Sequence, residues 1–180
     1  TLIGDLAAMF PGEYIHIGGD EVDKSFWKHC ELCQKRMKEE GLKNEEELQS
    51  YFIKRVTKLV NKHRKKVIGW DEILEGGLAE GAAVMSWRGY EGAIQAAKAK
   101  HKAVMTPTSF CYLDYMQTDM HIENTGGAYV TLSRAYEYEP VPAEVDEAYI
   151  LGGQGNLWTE FISSAGRAEY MTWPRAFALA

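Results

Sequence analysis

The stretch YIHIGGDEVD, Tyr14 to Asp23, places His16, Asp20, Glu21 and Asp23 directly behind a short apolar run and two glycines. EYIHIGG reads as a strand, and the glycines punctuate its end. Neighbouring residues on a strand face opposite sides. Asp20 and Glu21 can therefore serve one pocket only if the chain leaves the strand just before them. Gly18 and Gly19 make that departure cheap, because glycine tolerates dihedrals that other residues avoid.

The same grammar recurs along the chain. KVIGW (66–70), AAVMSW (82–87), KAVMTP (102–107) and AYILGGQGNLW (148–158) are further strand candidates. Between them lie helical patterns: SFWKHCELCQKRMKEEG (25–41), a helix capped by Asn44 with Glu47 three residues on, EGAIQAAKAKH (91–101) and AEYMTWPRAFALA (168–180). Leu48, Phe52, Val56, Leu59, Val60 and His63 recur at helical spacing, which predicts one apolar face on the Asn44-capped helix. TSFCYLDYMQ (108–117) reads as a long loop. Residues 121–144 read mainly as loop with a helical turn.

Short apolar strands alternating with amphipathic helices predict an α/β fold with parallel strands. The distinctive side chains cluster at strand tips: Asp20 and Glu21, Trp70, Trp87, Tyr112 and Asp114, Trp158 and Glu160. A (β/α)8 barrel builds its active site at that edge, and no glycine-rich phosphate fingerprint supports a dinucleotide-binding sheet. About five strands are legible where a barrel has eight and typically about 250 residues. TLIGDLAAMF and PRAFALA read as helix segments at the two ends. The expectation is thus one partial catalytic barrel domain over 1–180, incomplete, holding about strands 4 to 8 and truncated at both ends.

Composition narrows the classes. The 180 residues carry a net charge of −6 and are 46% hydrophobic, as suits one globular domain. Neither nucleic acid nor membrane is an expected partner, since no basic stripe repeats and no apolar run is long enough to span a bilayer. NKHRKK (61–66) ends a helical pattern, where cations suit the negative end of the dipole. Cys30, Cys33 and Cys111 imply no complete disulfide framework, and CELC lacks the second ligand pair of a structural zinc site.

Paired carboxylates point to glycoside hydrolysis, yet most such enzymes hold them on opposite sides of the scissile bond. Adjacent carboxylates fit better where one is the acid and the other holds a substrate group that itself attacks. Beside these residues a resemblance becomes specific. HIGGDEV resembles the signature of glycoside hydrolase family 20, the β-N-acetylhexosaminidases, and GWDEI, MSWRG, YLDYMQ, GGQGNLWTE and YMTWPRAFALA resemble that family's barrel in order.

The resemblance implies a retaining, substrate-assisted hydrolysis of terminal N-acetyl-β-hexosamine residues through an oxazolinium. It implies Glu21 as general acid/base, Asp20 as the residue orienting the 2-acetamido group, and Tyr112 as the donor to its oxygen. Trp70 and Trp87 match walls around the acetamido methyl. Trp158 matches the indole under the sugar ring, and Asp114 and Glu160 match carboxylates that hold hydroxyls. No cofactor or metal is implied. The implied partners are amino-sugar glycans or chitooligosaccharides, in a secreted, periplasmic or lysosome-like compartment. The family's substrate-binding arginine and the histidine supporting its glutamate precede Thr1, so neither Arg88 nor His16 takes those roles.

Bland readings compete. Acidic residues at a helix start favour the dipole, the tryptophans could be barrel core, and His16 reads as a hydrogen-bonded barrel residue. A divalent-metal site built from His16, Asp20, Glu21 and Asp23 leaves the tryptophan tips without a role. A non-catalytic carbohydrate-binding or structural fragment is the remaining alternative. An unclosed barrel edge invites self-association.

Overall fold

The computed structural model describes residues 2–118, 123 and 128–180. Helix α1 (Leu2–Met9) leads into strand β1 (Tyr14–His16), followed by α2 (Ser25–His29), α3 (Glu31–Glu40) and α4 (Glu45–Asn61). Then come β2 (Lys66–Trp70), β3 (Ala83–Ser86), α5 (Glu91–Lys98), β4 (Ala103–Met105), α6 (Thr108–Cys111) and α7 (Leu132–Tyr136). β5 (Ile150–Gly153), α8 (Ala165–Thr172) and α9 (Arg175–Leu179) complete the order.

The five strands form one sheet, all pairs parallel, in the order β1-β2-β3-β4-β5. That order decides the architecture. A doubly wound sheet reverses its strand order at a switch point, whereas here every step runs the same way, as in a singly wound barrel. The chain carries five consecutive parallel strands of a (β/α)8 barrel, with a 3-10 turn, Asp71–Leu74, in place of an α-helix after β2.

Strand alternation sorts the core into two layers. Val67, Val84, Ala103 and Met105 pack outward against Ile53 and Val60 of α4 and against Ala93 and Ala96 of α5. Ile68, Trp70, Ala83 and Met85 point to the opposite face with Tyr14, Trp87 and Val104 packed on them. Trp70 thus lies on the barrel's inner face at a strand tip, next to Met85 in register.

Four local expectations need correction. Residues 25–41 make two helices rather than one: Cys30 is extended (φ −84°, ψ 112°) and its Sγ accepts the Cys33 N–H at 3.4 Å, capping α3. Gln34 Nε2 donates to the Trp27 carbonyl at 2.9 Å, which satisfies the end of α2. The C-terminal pattern also breaks, with Trp173 extended before Pro174, because proline disfavours a helical predecessor. The 108–117 loop contains α6. In the 121–144 segment the expected helical turn is α7, while 121, 122 and 124–127 lie outside the described residues.

The fourth correction concerns the face of α4. Gln49, Ser50, Ile53, Thr57 and Val60 are buried, while Phe52 and Leu59 are exposed. Polar side chains win those positions because each reaches a backbone carbonyl: Gln49 that of Gly19, Ser50 that of Gly77 and Thr57 that of Ile53. The Asn44 cap forms as expected, accepting the Glu47 N–H at 2.9 Å. Glu47 reaches back one residue further, to the Lys43 N–H at 2.8 Å.

Candidate active site

The turn after β1 creates the site. Ile17 N–H still donates to the Ile68 carbonyl at 2.9 Å, and the Gly18 carbonyl accepts from Trp70 N–H at 3.0 Å. The chain then departs through Gly18 (φ 68°) and Gly19 (φ 105°), and Glu21 itself sits at φ 47°. A side chain other than glycine pays about 1–2 kcal/mol in that left-handed region. The turn is braced from outside by Gln49, whose Nε2 donates to the Gly19 carbonyl at 2.8 Å. A Cβ on Gly19 would stand 2.6 Å from Ile73 Cγ2. Gly19→Ala therefore combines dihedral strain with overpacking, and we expect a loss of roughly 2–4 kcal/mol. Thermal unfolding followed by circular dichroism checks this through a Tm drop of roughly 5–15 °C; an unchanged Tm contradicts it.

Asp20, Glu21, Trp70, Trp87, Tyr112, Trp158 and Glu160 together line one open cleft of about 210 Å³. Seven of the eight side chains singled out in the sequence thus meet in one place. The eighth, Asp114, lies outside that lining and accepts the Trp158 N–H at 3.5 Å.

The aromatic walls touch in series. Trp70 and Trp158 have ring centroids 5.9 Å apart, Tyr112 and Trp158 6.4 Å, and Trp87 stacks on Tyr112 at 6.3 Å with 24° between planes. Tyr112 is buried, while Trp158 is 41% exposed at the mouth. The loops after β4 and β5 are joined under them. Leu113 N–H donates to the Asn156 carbonyl at 2.6 Å, and Asn156 N–H donates to Cys111 at 2.8 Å. The Asn156 amide also anchors to Thr106 Oγ1 at 2.8 Å.

This cleft of adjacent carboxylates and tryptophan tips lies in a chain whose residues 1–180 match the family described as Glycosyl hydrolase family 20, catalytic domain. The chain belongs to glycosyl hydrolase family 20. Among its relatives is a beta-hexosaminidase of Porphyromonas gingivalis, 51% identical, matched over 99% of this chain and 24% of the relative. The rat beta-hexosaminidase subunit alpha is 27% identical over all of this chain and 34% of its own length. A solved exo-β-N-acetylglucosaminidase of Vibrio harveyi, of family 20 and in complex with N-acetylglucosamine, superimposes with a TM-score of 0.86 at 31% identity. That alignment covers 99% of this chain and 29% of the Vibrio chain. The chain spans well under two thirds of these relatives.

Burial shifts some of the groups in and beside the family 20 cleft. It pushes the Tyr112 hydroxyl up to about 12, with hydrogen bonds from Trp158 and Asn156 opposing, so the group remains an O–H donor. Burial likewise raises Asp114, and Glu160 adds to the rise. His16 is held below its usual value by desolvation, while Asp20 pulls the other way. His16 Nδ1 accepts the Gly18 N–H at 3.0 Å, and the ring lies edge-on to Trp70 at 4.9 Å. It is a hydrogen-bonded barrel residue, as its position on β1 led us to expect. Asp23 turns to the Ser25 N–H at 2.9 Å. Among the described residues no three His, Cys, Asp or Glu side chains gather to hold a metal ion.

Sequence reasoning missed the supports of the cleft. Asp71 and Glu72 are buried behind Trp87 and face Arg88. Arg175 is buried beneath the Leu113–Tyr115 segment. Buried Glu123 accepts from Gln117 N–H at 2.7 Å, from Thr118 and from the Tyr170 hydroxyl. The one available signal was a second Asp-Glu pair at a strand tip, in GWDEI.

Proposed function

We propose that this chain carries the catalytic cleft of a retaining exo-β-N-acetylhexosaminidase in which the substrate's own 2-acetamido group is the nucleophile. The observation that carries the reading is that Asp20 and Glu21, consecutive on one strained turn, both line a cleft walled by indoles. Consecutive carboxylates on one loop are poorly placed to flank a glycosidic bond as acid and protein nucleophile. They are well placed to act on two neighbouring groups of one sugar. Membership of family 20 and the relatives named as hexosaminidases support an amino-sugar substrate.

In this mechanism Glu21 donates its proton to the leaving glycosidic oxygen as the acetamido carbonyl oxygen attacks C1. Asp20 accepts the acetamido N–H and offsets the positive charge of the oxazolinium. Tyr112 donates its O–H to the attacking oxygen, fixing its direction. Trp70 and Trp87 enclose the methyl group, Trp158 supports the apolar ring face, and Asp114 and Glu160 hold hydroxyls. Glu21, now a carboxylate, takes a proton from water as the water opens the oxazolinium from the face the leaving group vacated. Two inversions at C1 give net retention.

Tyr112→Phe removes one donor to a group that gains charge in the transition state, so kcat falls roughly 10²-fold. Because burial holds the Tyr112 hydroxyl up near about 12, ionisation of Tyr112 causes no loss of activity below roughly pH 11. Steady-state rates on an aryl N-acetyl-β-glucosaminide check both points. A phenylalanine variant with unchanged kcat contradicts the role.

A further inference from the structure

Asp71 and Glu72 follow Trp70 as directly as Asp20 and Glu21 follow Gly19, yet they point the other way. With Trp70 rather than a glycine directly before them, they enter a short 3-10 turn, Asp71–Leu74, that carries both carboxylates behind the cleft wall. Asp71 is 2% exposed and accepts the Trp87 N–H at 2.9 Å, the Arg88 N–H at 3.2 Å and the Arg88 Nε–H. Glu72 is 8% exposed, and its Oε2 accepts the Trp87 indole N–H at 3.0 Å. One turn thus pins Trp87 at both ends, backbone and ring.

The two tryptophans at this end of the cleft are held differently. Trp70 belongs to β2 and is buried in the inner layer, so the strand sets its place. Trp87 follows β3, is only partly buried, and meets Tyr112 at the loose centroid distance of 6.3 Å. The torsion that swings an indole about its Cβ has a broad well. The bond from a charged acceptor is therefore what selects one setting of this ring. Arg88 Nε stands 3.8 Å from Glu72 Oε1, a second contact that holds the carboxylate group in place.

We propose that Glu72 is a positioning residue that, by fixing the Trp87 indole, sets the size of acyl group the cleft admits on the substrate nitrogen. The proposal rests on the reading of the cleft as an N-acylhexosamine site and adds what determines its acyl selectivity. Glu72 touches no substrate; it acts through Trp87.

The test compares kcat/KM for aryl β-glucosaminides bearing N-acetyl and N-butyryl groups in the native protein, Glu72→Leu and Glu72→Gln. Glu72→Leu is expected to lower the acetyl-to-butyryl ratio by roughly tenfold or more, because a released indole yields room for the longer chain. Glu72→Gln keeps an oxygen acceptor in place and returns the ratio to within about threefold of native. Equal losses on both substrates in Glu72→Leu, or a glutamine variant no better than leucine, overturn the proposal. A second readout needs no turnover: the Trp87 indole N–H resonance, assigned with Trp87→Phe, shifts and exchanges faster with solvent in Glu72→Leu. A native protein inactive on both substrates refutes the reading that this chain by itself carries a working N-acylhexosamine cleft. An indole resonance unmoved by Glu72→Leu refutes the positioning role.

Discussion

Glu21→Gln lowers hydrolysis of N-acetylglucosamine disaccharides by roughly 10³-fold or more and leaves the fold intact. A positioned general acid contributes typically about 10²–10⁴-fold, and here one carboxyl is asked to serve twice, as acid and then as base. The amide matches the carboxyl in shape but has no acidic proton to give and cannot take one from water. Glu21 is exposed and the substitution is isosteric, so stability shifts by no more than roughly 0.5 kcal/mol. Leaving-group dependence sharpens the expectation. Nitrophenolate departs with little protonation, so a nitrophenyl substrate loses mainly the base-assisted second step, whereas a sugar leaving group loses both. Turnover near the native rate on a disaccharide would remove Glu21 from the mechanism.

Arg175→Met unfolds or severely destabilises the protein, by roughly 4 kcal/mol or more. Arg175 is 0% exposed, and its terminal nitrogens donate to the carbonyls of Leu113, Tyr115, Val130 and Met171. Among the described residues, Nε finds no partner. Burial presses the guanidinium down to about 10, with Glu123 and Asp114 pulling it back up. Methionine fills much of the volume but orphans the carbonyls, each worth about 1–3 kcal/mol when left unpaired in the interior. Two of those carbonyls flank Asp114 directly after Tyr112, so loss of the clamp also frees the loop that carries the hydroxyl donor. Chemical denaturation measures the effect: a methionine variant within about 1 kcal/mol of native contradicts the clamp. Arg175→Lys recovers part of the stability, since one ammonium reaches some of the same oxygens.

The central barrel strands, β2 and β3, were legible because they are buried on both faces. KVIGW and AAVMSW are continuous apolar runs, which few loops contain and which parallel strands require. The cleft was legible because a barrel concentrates its chemistry at strand tips, and each tip here carries an aromatic or acidic residue. Other features depended on partners far away in the chain. The α4 face could not be read from periodicity, because Gln49 and Ser50 are buried through bonds to Gly19 and Gly77. Arg175 lies in a segment that reads simply as helix, and the carbonyls it holds begin 62 residues earlier.

The two Asp-Glu pairs carry the clearest lesson. Asp20–Glu21 and Asp71–Glu72 occupy equivalent places at strand ends, yet one pair opens into the cleft and the other supports its wall. The difference lies in the preceding residues. Gly18 and Gly19 adopt positive φ and turn the first pair inward, whereas Trp70 is extended and passes straight into a 3-10 turn. The break between α8 and α9 had its signal in Trp173–Pro174, but the helical pattern on either side outweighed it.

The central claim is that the substrate's acetamido oxygen, rather than a protein carboxylate, attacks C1. It is tested most directly by kcat/KM for aryl β-glucosaminides whose N-acetyl group carries zero, one, two or three fluorines. Each fluorine draws electron density from the carbonyl oxygen and weakens it as a nucleophile while adding little bulk. Participation predicts a steep, progressive decline, more than roughly 10²-fold across the series. A series flat to within about twofold would place the attack on a side chain of the protein and contradict the account.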